Sequence, residues 1–195
     1  MTVAITKTKV GIVLALLLCN AVAWLIVARV AFTKYAGRNI ASIQLGRENK
    51  QNGIRWCEVL KDGRTEATEI GGSECRVARR PKGPGYIYFT VDSFLKQGKL
   101  MDTLVTVDYF DFAPGEFALN YDAVDVDQNK ASPYLMASQK EKCTGSQQWR
   151  RAYFIARNAR FKNSQNGGAD FRIELRVPEL YVRRVTVQRL NTVLP

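Results

Sequence analysis

The sequence predicts an all-β domain, a sandwich of two antiparallel sheets, preceded by one N-terminal transmembrane α-helix. Two observations indicate this architecture. Residues 10–28 form a run of 19 residues without an ionisable side chain, and such a helix is about 28 Å long, roughly one hydrocarbon core. From residue 54 onward, short runs of alternating apolar and polar residues are separated by turn residues, as in a β-sandwich.

The apolar run predicts an anchor helix over residues 10–32, after a short tail of residues 1–9. A cleaved signal peptide is the alternative, because Ala21-Val22-Ala23 is a small-x-small cleavage site. The apolar run continues past that site to Ala28, whereas a secretory apolar region usually ends there. An uncleaved signal anchor is therefore favoured.

Charge alone does not decide the orientation of this helix, because basic residues flank it on both sides. The nine-residue tail is too short to fold, so the C-terminal domain is the working part. The simpler topology leaves only this tail in the cytoplasm. We therefore expect a single-pass protein of the inner (cytoplasmic) membrane whose domain is extracytoplasmic, in the periplasm.

Residues 33–53 are polar and predict a stalk, and residues 54–195 predict the sandwich. Turn residues such as Asp62-Gly63, Gly71-Gly72 and Pro114-Gly115 divide the domain into short segments. The predicted strands cover residues 54–60, 65–70, 74–79, 86–91, 103–111, 116–121, 134–138, 148–155, 170–176 and 180–190.

Alternation supports individual strands. Val105, Val107 and Tyr109 face one way on their strand, and the same spacing recurs at Phe117, Leu119 and Tyr121. The many short strands, without a strong helical pattern in the domain, predict two packed antiparallel sheets.

Composition excludes several kinds of chemistry. The chain has no histidine, so a His-based triad, a His-ligated haem or chlorophyll and a His-ligated zinc site are excluded. No C-x-x-C pair and no Gly-rich phosphate loop occurs. We therefore expect no cofactor and no enzymatic activity.

The formal net charge is +11, and without Lys7, Lys9 and Arg29 there remain 26 basic and 18 acidic residues, a net charge of +8. This charge favours acidic partners such as phospholipid head groups, anionic glycans or acidic protein surfaces. A solvated basic surface is the alternative. A membrane anchor and an extracytoplasmic location argue against nucleic acid as a partner.

Much of the domain resembles a β-jelly-roll module attached to bacterial glycoside hydrolases, of the galactose-binding-like or carbohydrate-binding-module class. The resemblance covers about residues 54–190, and its segments are residues 86–94, 105–111, 117–122, 145–149, 159–161, 166–172 and 180–187. It implies a jelly-roll sandwich that binds a ligand and has no catalysis of its own.

A lectin-like module needs aromatic faces for the C–H surfaces of a sugar and Arg, Asn or Asp for its hydroxyls. The candidate ligand- or partner-binding residues are Tyr86, Tyr88, Tyr109, Tyr121, Trp149, Arg151, Tyr181 and Arg183. The alternative for the aromatic residues is the core, where such side chains at strand spacing usually pack.

Two further patterns involve metal and disulfide chemistry. Asp122, Asp125 and Asp127 are weak calcium candidates, but their spacing lacks the Gly and Glu of an EF-hand, so an acidic solvated loop is favoured. Cys57 and Cys75 lie on neighbouring predicted strands and are a disulfide candidate pair. Unpaired buried thiols are the alternative.

Two functions follow. The favoured one is a non-catalytic accessory or scaffold subunit of a membrane protein complex, for example a photosynthetic or respiratory one. Its helix would contact the bilayer and integral membrane subunits, and its sandwich would contact extracytoplasmic partners. The alternative is a membrane-tethered carbohydrate-binding module for cell-envelope polysaccharide.

The predicted topology can be tested with protease added to intact spheroplasts. If the domain lies outside the cytoplasm, the protease digests residues 54–195. Protection of the domain, or a mature N-terminus at Trp24, would contradict the uncleaved signal anchor.

Overall fold

The computed structural model describes residues 39–79, 83, 85–96, 98, 100–125 and 127–190, together with residue 22. The chain divides into two compact units, residues 1–38 and 39–195. The predicted tail and, apart from residue 22, the predicted transmembrane helix lie outside the described residues. Within the described ranges, no helix has the length and apolar character needed to cross a membrane.

The described part of the second unit contains twelve strands, one short α-helix and a 3-10 turn at Asn166–Gly168. In chain order the strands and the α-helix are β1 (Ile40–Gln44), β2 (Lys50–Asn52), β3 (Ile54–Cys57), β4 (Thr65–Ile70), β5 (Ser73–Arg79), β6 (Gly85–Val91), α1 (Ser93–Lys96), β7 (Met101–Phe110), β8 (Pro114–Asp125), β9 (Lys130–Thr144), β10 (Trp149–Ala159), β11 (Phe171–Leu175) and β12 (Glu179–Arg189).

The strands form one hydrogen-bonded sheet in the order β2-β1-β12-β7-β10-β8-β11-β6-β3, with β5 on β12, β4 on β5 and β9 on β8. All named strand pairs are antiparallel. Between β10 and β8 the pairing is restricted to Ala159 and Ala123. At this narrow connection the sheet folds into two layers, which confirms the predicted β-sandwich.

The core lies between the two layers. Tyr109 of β7 meets Phe117 of β8 edge-to-face, with ring centroids 4.9 Å apart, and Phe117 also contacts Phe154 of β10. All three side chains are almost completely buried. Along much of β7 and β10 the inward positions alternate with outward ones, as the sequence pattern predicts.

The sandwich begins earlier than the sequence predicts. Residues 40–44, assigned to the stalk, form β1 and pair with residues 184–188 of β12. Ala41 and Ile43 are buried in the core. Their partners lie more than 140 residues away in the sequence, so the local polar composition of residues 33–53 does not reveal this strand.

Strand β9 is longer than predicted. It spans Lys130–Thr144 rather than residues 134–138, and most of its side chains are exposed. Its length depends on backbone pairing with β8 rather than on an apolar face. Hydrophobic alternation therefore detects only its middle.

The predicted Cys57–Cys75 disulfide is wrong. Both thiols are free, and so is Cys143. Cys57 lies on β3, which pairs with β6, whereas Cys75 lies on β5, which pairs with β4 and β12. The two strands are separated by β4 in the sequence and do not pair with each other in the sheet. Burial, assisted by Glu69, raises the pKa of the Cys75 thiol to about 11.

Three fully buried aspartates hold irregular connections onto the sandwich. Asp111 accepts hydrogen bonds from the backbone N–H groups of Thr144, Gly145 and Ser146 and from the hydroxyls of Thr144 and Ser146. These bonds fix the turn between β9 and β10. Burial alone would raise the pKa of Asp111, but the hydrogen bonds to its charged form hold that pKa below the ordinary value of 3.8.

Asp170 and Asp122 act in the same way elsewhere. Asp170 accepts the backbone N–H groups of Val91 and Asn163 and lies 2.7 Å from the Lys96 ammonium. Asp122 accepts the N–H of Lys162 at 2.7 Å and pairs with Arg160 at 2.9 Å.

Replacement of Asp111 by Asn should destabilise the domain by about 2–4 kcal/mol at pH 7, because the buried donors lose a charged acceptor. Since the pKa of Asp111 is lowered in the folded state, its contribution is present above about pH 4 and is lost as the pH falls further. The difference between wild type and Asp111→Asn should therefore shrink toward pH 2. Urea unfolding followed by circular dichroism measures both effects.

The matched control is Asp127→Asn, which changes an exposed aspartate. An Asp111→Asn variant no less stable than this control would contradict the structural role of Asp111.

Candidate functional site

A row of polar side chains crosses four strands on the outer face of one layer. In the strand register, Arg151 of β10 lies opposite Asp108 of β7, Asp108 opposite Arg184 of β12, and Arg184 opposite Gln44 of β1. The outward direction of Arg151 follows from alternation, since Ala152 beside it is buried. Residues far apart in the sequence thus form one continuous polar surface.

A second row lies next to the first. It consists of Tyr153, Thr106, Thr186 and Ser42, paired across the same four strands. Tyr153 is 55% exposed, which is the largest exposure among the aromatic side chains of the described residues. The face therefore has an accessible ring at one end and hydroxyl groups along its length.

A β-bulge adds another arginine to this face. Val182 pairs with Tyr109 and Arg184 pairs with Asp108, so Arg183 is an extra residue in β12. Consecutive residues of a regular strand point to opposite faces, but a bulge redirects side chains. Arg183 and Arg184 consequently line the same groove.

Arg151, at one end of the row, forms an ion pair with its neighbour Asp108. Arg151 Nε donates to Asp108 Oδ1 at 2.6 Å, and its Nη2 lies 3.3 Å from Oδ2. The hydrogen bond to Asp108 raises the pKa of Arg151 above its ordinary value. Asp108 is 7% exposed, so this fork fixes the position of the Arg151 guanidinium on the groove floor.

The turn between β4 and β5 forms a wall of the groove. Trp149 Nε1 donates to the carbonyl of Gly71, and its ring meets Phe110 edge-to-face at 5.5 Å. The Arg183 guanidinium lies over the Trp149 ring, 4.4 Å from its centroid, and donates to Ser73 Oγ. Trp149 thus orients Arg183 instead of presenting a free face to a ligand.

Together these elements enclose an open groove of about 570 Å³. Its lining is mostly polar and combines donors with acceptors: Gln44, Gly72, Ser73, Glu74, Asp108, Arg151, Arg183 and Arg184. Such a surface can form hydrogen bonds with a ligand that carries many hydroxyl groups.

Tyr86 and Tyr88, two of the predicted ligand residues, lie on the opposite layer. The Arg172 guanidinium lies between the rings of Tyr86 and Tyr134, at 3.7 and 4.2 Å from their centroids. It also donates to Asn120 and to the Tyr88 hydroxyl. Burial raises the pKa of Tyr88 to about 12, against the opposing effect of Arg172. Arg172 therefore covers one face of the Tyr86 ring and one face of the Tyr134 ring.

The remaining predicted tyrosines are buried. Tyr109 and Tyr121 point into the core, where the Tyr109 hydroxyl donates to Glu141 and the Tyr121 hydroxyl accepts the N–H of Arg157. Tyr181 lies behind the groove in a small apolar cluster with Cys75, Val77 and Phe110. Their alternation reflects core packing rather than ligand contact.

The structure explains the weak calcium candidates without a metal. Asp122 is buried and engaged by Arg160 and Lys162. Asp125 accepts the backbone N–H groups of Asp127 and Gln128, which is a turn interaction. Among the described residues, no cluster of acidic, Cys or His side chains is suited to hold a metal ion.

The predicted set includes three residues beside the groove, Trp149, Arg151 and Arg183. It omits Asp108, Arg184 and Tyr153. Alternation places Tyr153 on the same face as Arg151, which would have indicated it. Alternation with the buried Val185 likewise places Arg184 on the outer face of β12. The position of Arg183 beside it depends on the bulge, which is a property of strand pairing.

The sequence matches no protein-family model and no curated protein. Among solved structures, the chain is similar to the CBM22-1 and GH10 modules of endo-1,4-β-D-xylanase 10B from Clostridium thermocellum, complexed with xylohexaose. The identity is 12%, the TM-score is 0.43, and the match covers 72% of this chain and 27% of that chain.

Two further structures are similar. A family 29 carbohydrate-binding module from Piromyces equi is 13% identical, with a TM-score of 0.42, covering 76% of this chain and 91% of the module. A carbohydrate-binding module specific for non-crystalline cellulose is 13% identical, with a TM-score of 0.36, covering 74% and 89%. A fold similarity at such low identity does not determine function.

The groove wall predicts a difference between two adjacent glycines. A Cβ on Gly71 would lie 2.7 Å from Phe110 and 2.9 Å from Trp149, whereas a Cβ on Gly72 would meet nothing within 4 Å. Both residues have positive φ, so each change to Ala adds backbone strain of about 1–2 kcal/mol. Gly71→Ala should lower stability by about 1–3 kcal/mol more than Gly72→Ala, because it also overpacks the wall.

Urea unfolding of the two variants measures this difference, with Gly72→Ala as the control. Equal losses of stability would show that the wall does not pack against Gly71 as described.

Proposed function

We propose that the groove binds a polysaccharide and that the domain is a non-catalytic carbohydrate-binding module. The observation that carries this proposal is the polar row across β10, β7, β12 and β1, with the exposed ring of Tyr153 beside it. Sugar hydroxyls both donate and accept hydrogen bonds. The groove offers both kinds of partner on one open surface.

The chemistry of the groove favours binding over catalysis. Its two carboxylates belong to Asp108 and Glu74. Asp108 is bonded to Arg151 through both of its oxygens, so it is not available as a general acid or base. The chain has no histidine to take that role.

The aromatic contribution comes from Tyr153. Its ring is the most accessible aromatic surface in the described domain and lies at the end of the hydroxyl-bearing row. A sugar packed on this ring places its C–H surface against an apolar face, while its hydroxyls reach Arg151 and the threonines. An open groove rather than an enclosed cavity suits a chain that continues beyond the site.

The described residues give no support to the membrane-complex subunit favoured from the sequence, and we propose the carbohydrate-binding function in its place. The N-terminal anchor and the extracytoplasmic location remain predictions. Combined with them, the proposed function is to hold cell-envelope polysaccharide near the membrane.

Affinity electrophoresis of the full chain in non-ionic detergent, through gels that contain soluble polysaccharides, tests this function. Tyr153→Ala should weaken binding about tenfold, the effect of losing roughly 1.4 kcal/mol of stacking and apolar contact. The matched control is Tyr134→Ala, which removes an exposed tyrosine from the opposite layer.

Loss of binding in the Tyr134 variant, with normal binding by the Tyr153 variant, would place the ligand on the opposite face and contradict the proposed site. No retardation by any polysaccharide, together with a stoichiometric protein partner after mild detergent extraction, would support the membrane-complex subunit instead.

A further inference from the structure

The groove has more positive charge than its own carboxylates neutralise. Three of its lining side chains are arginines, at positions 151, 183 and 184, and two are acidic. Arg151 and Asp108 form a bidentate pair and compensate each other. The net charge of the groove therefore depends on Arg183, Arg184 and Glu74.

Neither Arg183 nor Arg184 forms an ion pair with a carboxylate of the described residues. The polar partner of Arg183 is the neutral hydroxyl of Ser73, at 3.3 Å, and its guanidinium lies on the Trp149 ring. Arg184 is exposed and lies between Asp108 and Gln44 in the strand register. Its neighbour Asp108 is already held by Arg151 at 2.6 Å.

Glu74 does not compensate these two arginines. The carboxylate of Glu74 lies 3.9 Å from Arg47 Nε, and both side chains are more than half exposed. This pair is outside the polar row, at the edge of the groove. Two guanidinium groups therefore face the groove without a carboxylate partner.

The geometry of these two groups suits an anion. The bulge in β12 brings consecutive arginines to one side of the strand, and stacking on Trp149 fixes the plane of one guanidinium. A planar guanidinium offers paired N–H donors that match two oxygens of a carboxylate or sulfate. The hydroxyls of a neutral sugar also accept hydrogen bonds from these donors, but they leave the charge uncompensated.

We infer that the groove selects an acidic polysaccharide, one whose sugar units carry carboxylate or sulfate groups, and that Arg183 and Arg184 hold those groups. This inference rests on the proposed carbohydrate-binding function and adds the class of ligand. The net charge of +8 that remains without Lys7, Lys9 and Arg29 also attracts a polyanion over distance.

The experiment compares matched charged and neutral polymers, with the full chain in non-ionic detergent. The pairs are polygalacturonate with its fully methyl-esterified form, and dextran sulfate with dextran. At least one charged polymer should bind about tenfold more tightly than its neutral counterpart, as expected when a hydrogen-bonded charge pair is lost. Binding to polygalacturonate alone identifies carboxylate as the recognised group, and binding to dextran sulfate alone identifies sulfate.

Three variants assign the effect to the groove. Arg184→Gln and Arg183→Gln should each weaken binding of the charged polymer about five- to tenfold and leave binding of its neutral counterpart nearly unchanged. Arg184→Lys should bind the charged polymer more tightly than Arg184→Gln but less tightly than wild type, because Lys keeps the positive charge but not the paired N–H donors of the guanidinium. The control is Arg55→Gln, which removes an exposed arginine on β3, in the other layer.

Equal binding of charged and neutral polymers, still weakened by Tyr153→Ala, would overturn the inference and leave the carbohydrate-binding function intact. Absence of binding to all four polymers would contradict both the inference and the carbohydrate-binding function. A loss in Arg55→Gln as large as that in Arg184→Gln would assign the effect to general charge and overturn the inference. Binding of polyglutamate as tight as that of the charged polysaccharide would also overturn it, in favour of an acidic polypeptide.

Discussion

Buried carboxylates that accept hydrogen bonds from turns are the interaction on which the rest of this domain depends. Asp111, Asp122 and Asp170 are completely buried, and each anchors a segment that lacks regular pairing. Asp111 is central to the groove, because the turn that it holds leads directly into β10 and so helps to set the positions of Trp149 and Arg151. Neutral side chains at these positions would leave several backbone donors with weaker partners.

The groove arises from strand pairing rather than from a local motif. Its polar row joins residues from four strands through antiparallel register, and the bulge in β12 adds Arg183 beside Arg184. The β4–β5 hairpin then closes one side through Gly71 and Trp149. Most residues that line the groove lie on strands and few lie in loops, so the sheet holds the groove rigidly.

Much of the fold could be predicted from the sequence, because outward and inward residues alternate on strands such as β7 and β10. Strand β1 was not predicted, because it pairs with β12, which lies at the other end of the chain. The site was predicted less well. Tyrosines at strand spacing look alike whether they face the core, as Tyr109 and Tyr121 do, or the solvent, as Tyr153 does. Only the three-dimensional arrangement separates these cases.

The outward position of the groove has an evolutionary consequence. Its side chains project away from the core, so most single substitutions there leave apolar packing untouched and fall within the small stability changes of surface mutations. The chemistry of the groove can therefore change among descendants of this chain while the scaffold stays constant. The bulge is the exception, since deletion of its extra residue, Arg183, would leave a regular ladder in which Val182 and Arg184 are consecutive and the groove keeps one arginine of the two.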